Sequence, residues 1–183
     1  MSSESAVIGR VLTWVVPATE ADWDALYRAE LPRVYNFFRY RVGDGPEAED
    51  LTSATFEKAW RARGRYRRDL AGFATWLMTI ARNVAIDHYR QRRWHEPLEA
   101  AGHVPGGSAP EAEAERRSEA ELLNRLLSDC PEREREIVAL RYGAGLTNRA
   151  IAKLTGLTET NIGTILSRTI QSLRARWPEG EPR

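Results

Sequence analysis

The apolar positions of this chain recur at spacings of three and four, the period of an amphipathic helix, and nowhere settle into the strict alternation of a strand. The clearest case is the stretch from Thr75 to Arg93. Phe73, Leu77, Ile80, Ala81 and Val84 make one apolar stripe, while Trp76, Asn83, Asp87 and Arg90 make a second. Arg82, Tyr89 and Arg93 make a third. Upstream, Trp23, Leu26, Tyr27, Leu31, Val34, Phe37 and Phe38 predict a helix over 21–42, with Pro32 expected to kink it or split it near Leu31. Gly43-Asp44-Gly45 closes that element. A second helix follows over 47–63, with Glu47, Glu49 and Asp50 early and Lys58, Arg61 and Arg63 late, the order that complements a helix macrodipole. Gly64 ends it, and Arg65 to Gly72 reads as a basic loop.

The pattern fails between Glu96 and about Glu115, where Gly102, Pro105, Gly106, Gly107, Ser108 and Pro110 crowd together. This is a linker, flexible at its centre and helical toward Glu119. Helical periodicity then resumes with Leu122, Leu123, Leu126 and Leu127, and Pro131 opens another helix carrying Ile137, Val138 and Leu140. Gly145-Leu146-Thr147 is a turn. A short helix over 148–154, the turn Thr155-Gly156-Leu157 and a longer helix capped by Thr158 and running to about Arg176 complete the pattern. The expected fold is all-α: two small helical domains joined by a flexible linker. The expected divisions are an N-terminal extension (1–20), a first domain (21–95), the linker (96–118), a second domain (119–177) and a tail (178–183). The apolar cluster from Val7 to Val16 is the feature of the extension, and its role is open.

Charge sharpens this division. The formal net charge of the 183 residues is only +1, but it is segregated. Nine arginines between Arg61 and Arg93 oppose Asp69 and Asp87, a net of +7; seven Glu between Glu96 and Glu121 oppose Arg116 and Arg117, a net of −5; Thr147 to Trp177 carries +4. Two basic blocks across an acidic one suit two nucleic-acid surfaces. In the first, guanidiniums, an amide and aromatic rings share one helix, a combination suited to single strands: cations track phosphate, rings stack on bases and amides read base edges. In the second, a short helix, a Gly-centred turn and a longer helix form a helix-turn-helix pattern, whose second helix enters the major groove by its N-terminal end. Glu159, Thr160, Asn161, Thr164, Ser167 and Arg168 are then the base or phosphate candidates. A solvated basic helix and a three-helix packing unit are the plainer alternatives.

Other chemistries find little support. His88, His95 and His103 lack partners at metal-ligand spacing, no Gly-rich phosphate cradle follows a strand, and no catalytic set is present. The expectation is no enzyme, no metal and no cofactor. One cysteine, Cys130, suits a reducing cytoplasm and a passive thiol. No apolar run approaches the roughly 20 residues of a membrane-spanning helix, and no signal peptide is recognised, so no membrane insertion is expected.

Several blocks carry a more specific signal. Ala48-Glu49-Asp50-Leu51, Thr55 to Trp60, Thr75 to Asn83 and Asp87-His88-Tyr89-Arg90 resemble region 2 of bacterial extracytoplasmic-function sigma factors, group IV of the sigma-70 family. Pro131 to Val138, Leu140-Arg141-Tyr142 and Ile162 to Arg168 resemble their region 4. The likeness runs in order from about Trp23 to Arg176. It implies an alternative sigma factor that binds bacterial core RNA polymerase and promoter DNA in the cytoplasm, with an anti-sigma factor as a further partner by analogy. It places Asp50, Leu51, Phe56, Lys58 and Trp60 near the polymerase, although core packing explains Leu51 and Phe56 equally well. It places Arg65, Tyr66, Arg67 and Arg68 with Asn83 around a flipped base of the minus-10 element. Trp76, Arg82, Asp87, Tyr89, Arg90 and Arg93 join that surface, with Trp76 also a core anchor and the arginines phosphate contacts. It gives Arg149, Thr158, Glu159, Thr160, Asn161, Thr164, Ser167 and Arg168 to the minus-35 duplex. Ala150 stands where many members carry Glu, leaving a capping box begun by Thr147 incomplete. A helix-turn-helix regulator that does not replace the sigma subunit is the competing reading, and a protein that sequesters polymerase or a regulator is a third.

Overall fold

The computed structural model describes residues 20–43, 45–67, 72–95 and 111–178. Among them every regular element is helical. In chain order these are α1 (Glu20–Val42), α2 (Pro46–Ala62), a 3₁₀ turn (Arg63–Arg65), α3 (Phe73–His95), α4 (Glu111–Ser128), α5 (Glu132–Val138), a π turn (Ala139–Gly143), α6 (Asn148–Thr155) and α7 (Glu159–Arg176). The N-terminal extension lies outside the described residues, as do Arg68 and the centre of the linker.

Helix α1 is one helix, not two. Pro32 removes one backbone donor, but it lies on the exposed side of α1, so the carbonyl it leaves without a donor is not shut inside the core. The inward side of α1 places Val34, Phe37 and Phe38 fully out of solvent, with the two phenyl rings edge-to-face at 5.1 Å. Helix α2 opens with Pro46 in its first turn, where a missing N–H is not missed. It buries Ala48, Leu51, Thr52, Thr55, Phe56 and Ala59 against α1 and α3. Thr52 and Thr55 sit inside because each hydroxyl donates to the carbonyl four residues back, at 2.7 and 2.8 Å. Helix α3 contributes Leu77, Met78, Ala81, Val84 and Ala85 to the same core. Of the stripe expected from the sequence, Leu77, Ala81 and Val84 are buried and Phe73 and Ile80 partly so, while Met78 and Ala85 lie outside that expectation.

Helix α4 begins at Glu111, inside the stretch read as linker. The helix expected to run from Pro131 changes form after Val138. Ala144 N–H donates to the Ala139 carbonyl at 2.9 Å, a five-residue step that widens the helix into a π turn. The helix-turn-helix then follows as expected. Thr147 Oγ1 accepts from Ala150 N–H at 3.2 Å, so the incomplete capping box still makes its forward bond. Gly156 ends α6 in the left-handed region at φ +76°, and Thr158 caps α7 by accepting from Asn161 N–H at 3.1 Å. Ile151, Ala152, Ile162, Leu166 and Leu173 are buried beneath the turn.

The two helical units do not stand apart. Helix α1 packs along the π turn, with lesser contacts to α4 and α5, and the buried core runs without interruption from Val34 to Leu173. Two kinds of contribution to this fold separate in urea unfolding. Phe38→Ala empties a fully buried site and lowers stability by about 3–5 kcal/mol, whereas Thr158→Ala removes one exposed cap and lowers it by about 1 kcal/mol.

Candidate nucleic-acid and polymerase interface

The 3₁₀ turn and the start of α3 are held by stacked aromatic rings. Trp23 meets Trp60 at 5.4 Å and Phe73 at 5.6 Å; Tyr66 meets Phe73 at 5.5 Å and Trp76 at 5.1 Å. Arg63 covers the outer face of Trp60, its guanidinium carbon 3.7 Å from the ring centroid. Tyr66 and Trp76 are thus half-buried partners of one another, and the ring cluster holds Tyr66, just after the 3₁₀ turn, against the start of α3. Arg65 and Arg67 project from that loop into solvent. Asn83 and Arg90 are exposed farther along α3. An aromatic cluster and two exposed arginines thus lie at the start of α3, and an exposed amide lies about two turns farther along it. That is the combination a single strand requires: something flat to stack on, cations for phosphate and an edge reader.

Other residues of the expected minus-10 surface are engaged elsewhere. Arg82 Nε donates to Glu136 Oε1 of α5 at 2.8 Å. Tyr89 donates its hydroxyl to the Arg41 carbonyl at 2.6 Å, and its ring lies beneath the Arg41 guanidinium at 4.8 Å. Burial pushes the Tyr89 phenol above its usual range, with Arg41 opposing, so the group remains a donor at neutral pH. Asp87 Oδ2 lies 3.3 Å from Lys58 Nζ, joining α3 to α2. Of Arg93 only the backbone, in helix, is described.

On α2, Asp50 is exposed and Lys58 half-exposed, while Leu51 and Phe56 belong to the core. Trp60 is half-buried under Arg63 and Trp23. In the second unit, Thr158, Glu159, Thr160, Asn161, Thr164, Ser167 and Arg168 all lie exposed on the first turns of α7, together with Arg149 on α6. Arg149 Nε and Glu159 Oε1 are 3.5 Å apart across the turn. Both side chains are largely in water, so this pair contributes little to stability.

Comparison with known proteins gives this arrangement its context. Residues 26–95 match the model of Sigma-70 region 2, and residues 126–175 match that of Sigma-70, region 4. The chain belongs to the extracytoplasmic-function sigma factors of the sigma-70 family. It is 31% identical over 150 residues to the sigma factor RpoE of Cereibacter sphaeroides, covering 81% of each chain. It is 34% identical over 139 residues to CarQ of Myxococcus xanthus, covering 74% of this chain and 78% of that one. It is also 34% identical over 167 residues to BldN of Streptomyces coelicolor, covering 88% of this chain and 63% of that protein. The fold is similar to that of the sigma factor RpoE of Bartonella quintana, solved in complex with the anti-sigma factor NepR, with a TM-score of 0.66 at 22% identity over 84% of this chain and 95% of that one. It is similar again to CnrH, solved with the cytosolic domain of CnrY, with a TM-score of 0.65 at 20% identity over 86% and 88% of the two chains. These matches favour a sigma factor over a helix-turn-helix regulator working beside one. No helix among the described residues is long and apolar enough to cross a membrane.

The sequence reading missed Arg41, Glu132, Arg135 and Gly143, which join the two units. Arg41 reads in sequence as an ordinary cation in the last turn of a helix. Only the fold shows that it is buried. The bridge between Lys58 and Asp87 is open to test by chemical denaturation. Both side chains are about half-exposed, so Lys58→Ala and Asp87→Ala each lower stability by no more than about 1 kcal/mol. A larger loss of polymerase binding in Lys58→Ala would then report an interface role.

Proposed function

We propose that this protein is an alternative sigma factor that gives bacterial core RNA polymerase its choice of promoter, acting in the cytoplasm as an initiation factor and not as a catalyst. The observation that carries the reading is the presence, in one family-matched chain, of two nucleic-acid surfaces of different chemistry. The surface on α3 and its preceding loop suits unstacked bases. The surface on α7 suits a major groove. The first domain (21–95) docks on polymerase through the outer side of α2, with Asp50, Lys58 and Trp60 as the contacts. Leu51 and Phe56 support that helix from within.

The division of labour follows from chemistry. Asn83 presents a donor and an acceptor in fixed relation, so it can pair with a base edge once the base has left the stack. The rings of Tyr66 and Trp76 offer a stacking platform, and Arg65, Arg67 and Arg68 offer cations that hold the strand. Extrusion of a base opposes this by a few kcal/mol, which stacking and edge bonds offset. On the second domain (119–177), Thr160, Asn161, Thr164 and Arg168 face the bases and phosphates of the minus-35 duplex, with Arg149 and Ser167 on the backbone. Glu159 is suited to accept from cytosine when released from Arg149. Sigma-factor relatives of this fold have been solved with anti-sigma partners, which makes such a partner the natural source of control here.

A run-off assay with bacterial core polymerase and a genomic promoter library tests the reading. Discrete transcripts that depend on this protein are expected; none, from folded protein that binds polymerase, would overturn it. Within a working assay, Asn83→Ala lowers open-complex formation at least tenfold while minus-35 duplex binding is unchanged, read by permanganate reactivity of unpaired thymines. Arg168→Ala weakens duplex binding instead, and it reduces the slope of log affinity against log salt by about one unit if it neutralises a phosphate.

A further inference from the structure

The outer face of Trp60 is already taken. Arg63 lies over it with its guanidinium carbon 3.7 Å from the ring centroid, and Arg63 Nη1 donates to the Trp60 backbone carbonyl at 2.8 Å. The ring holds one face of the guanidinium and the hydrogen bond holds one of its nitrogens, so the group is fixed in place and in orientation. Trp60 is braced in turn by Trp23, edge-to-face at 5.4 Å. Arg63 itself is exposed. What this corner of the first unit presents to solvent is a positioned, flat cation.

Its charge is not spent inside the protein. Arginine recurs at every second residue from Arg61 to Arg67. Arg61 pairs with Glu57 one turn back. Arg63 has no carboxylate partner among the described residues. A guanidinium lying on a ring keeps a second face, and that face is weakly hydrated for a cation. A nucleobase suits it on two counts. The base is flat, and the phosphate beside it is drawn by the charge. A carboxylate or a lone phosphate would use the N–H groups at the edge and leave the face idle.

The corner adjoins the single-strand surface on α3. Rings run from Trp60 through Trp23 and Phe73 to Tyr66 and Trp76, each centroid 5.1–5.6 Å from the next. Tyr66 N–H donates to the Arg63 carbonyl at 3.2 Å, so the 3₁₀ turn sets Tyr66 one turn beyond Arg63. A strand held at Tyr66 therefore has Arg63 within reach of a neighbouring base. In sequence Arg63 is one more cation at the end of a helix. Its place on the Trp60 ring is what sets it apart.

We propose that Arg63 is a second stacking site for single-stranded DNA: an unpaired base lies flat on the outer face of its guanidinium, apart from the base read by Asn83. The site deepens the sigma-factor reading, on which the identity of the strand rests. It tolerates any base and favours purines, whose larger rings cover more of the guanidinium. Two plainer roles compete, a cover that braces Trp60 and a point charge for phosphate. Neither uses a planar face. Arg63→Lys keeps the charge and much of the cover but loses the plane, so it separates all three.

The experiment uses the full chain with bacterial core polymerase on a pre-opened DNA bubble, with 2-aminopurine placed at one non-template position at a time. Stacking quenches this base. One position should stay dark in the wild-type complex and brighten to the same extent in Arg63→Ala and Arg63→Lys, yet stay dark in Asn83→Ala. Arg63→Lys should also bind the bubble about tenfold more weakly, the size expected of one stacked base, with wild-type polymerase affinity and little change in melting temperature. Rescue by lysine makes Arg63 a phosphate contact and overturns the proposal. So does quenching that neither variant alters, whether or not the melting temperature falls, and so does a loss confined to polymerase affinity. If the chain binds no polymerase, the sigma-factor reading fails. The same scan on a single-stranded oligonucleotide with the protein alone then decides the site: quenching lost in both variants sustains it, and no quenching by any form overturns it.

Discussion

A single buried guanidinium, that of Arg41, governs the architecture. A cation taken out of water must be met by oxygens or it destabilises whatever contains it, and here both oxygens belong to Glu132 of the other unit. Glu132 answers it from α5, the Tyr89 ring lies beneath it from α3, and Arg135 of α5 donates to the Arg41 backbone carbonyl. The register of α1 on the second unit follows from that pairing. So does the depth of approach, which brings the π turn against the α1 backbone and leaves room only for glycine at 143. Nε of Arg41 has no hydrogen-bond partner among the described residues, so even the closed arrangement satisfies this cation incompletely. An interaction of that kind orients two bodies sharply without binding them tightly.

Each nucleic-acid surface, by contrast, is supported from within its own unit. The ring cluster of Trp23, Trp60, Tyr66, Phe73 and Trp76 holds Tyr66 against the start of α3, between the exposed Arg65 and Arg67. Thr158 and Gly156 fix the start of α7, so its exposed polar residues are offered in one geometry. Preorganisation of this sort lowers what binding must spend on ordering side chains.

What the sequence revealed and what it concealed divide along the same line. The helical periods, the Gly-centred turn, the Thr158 cap and the basic blocks are local features, set by residues a few positions apart, and each was legible. Pro32 misled because sequence cannot say which side of a helix its ring will face; on the exposed side it breaks nothing. The π turn was hidden because Ala-Leu-Arg-Tyr-Gly reads as ordinary helix. Arg41 and Glu132 lie 91 residues apart, and Arg82 and Glu136 lie 54 apart. No spacing rule connects such residues. The family resemblance, with the chemistry of rings and guanidiniums, assigns Tyr66, Trp76, Arg82 and Tyr89 to one surface. The fold divides them between the platform and the junction, because a ring or a guanidinium serves a protein partner as readily as a nucleic acid.

The π turn has a consequence of its own. An α-helix advances about 100° per residue, and a π turn absorbs one residue beyond that count. The direction in which the helix-turn-helix faces, relative to α5, is therefore set by a number of residues and not by their identities. Were the same residues wound as plain α-helix, with none removed, everything downstream would swing by about 100°. Each side chain of the reader would survive such a change, and it would be aimed at the wrong face of the double helix.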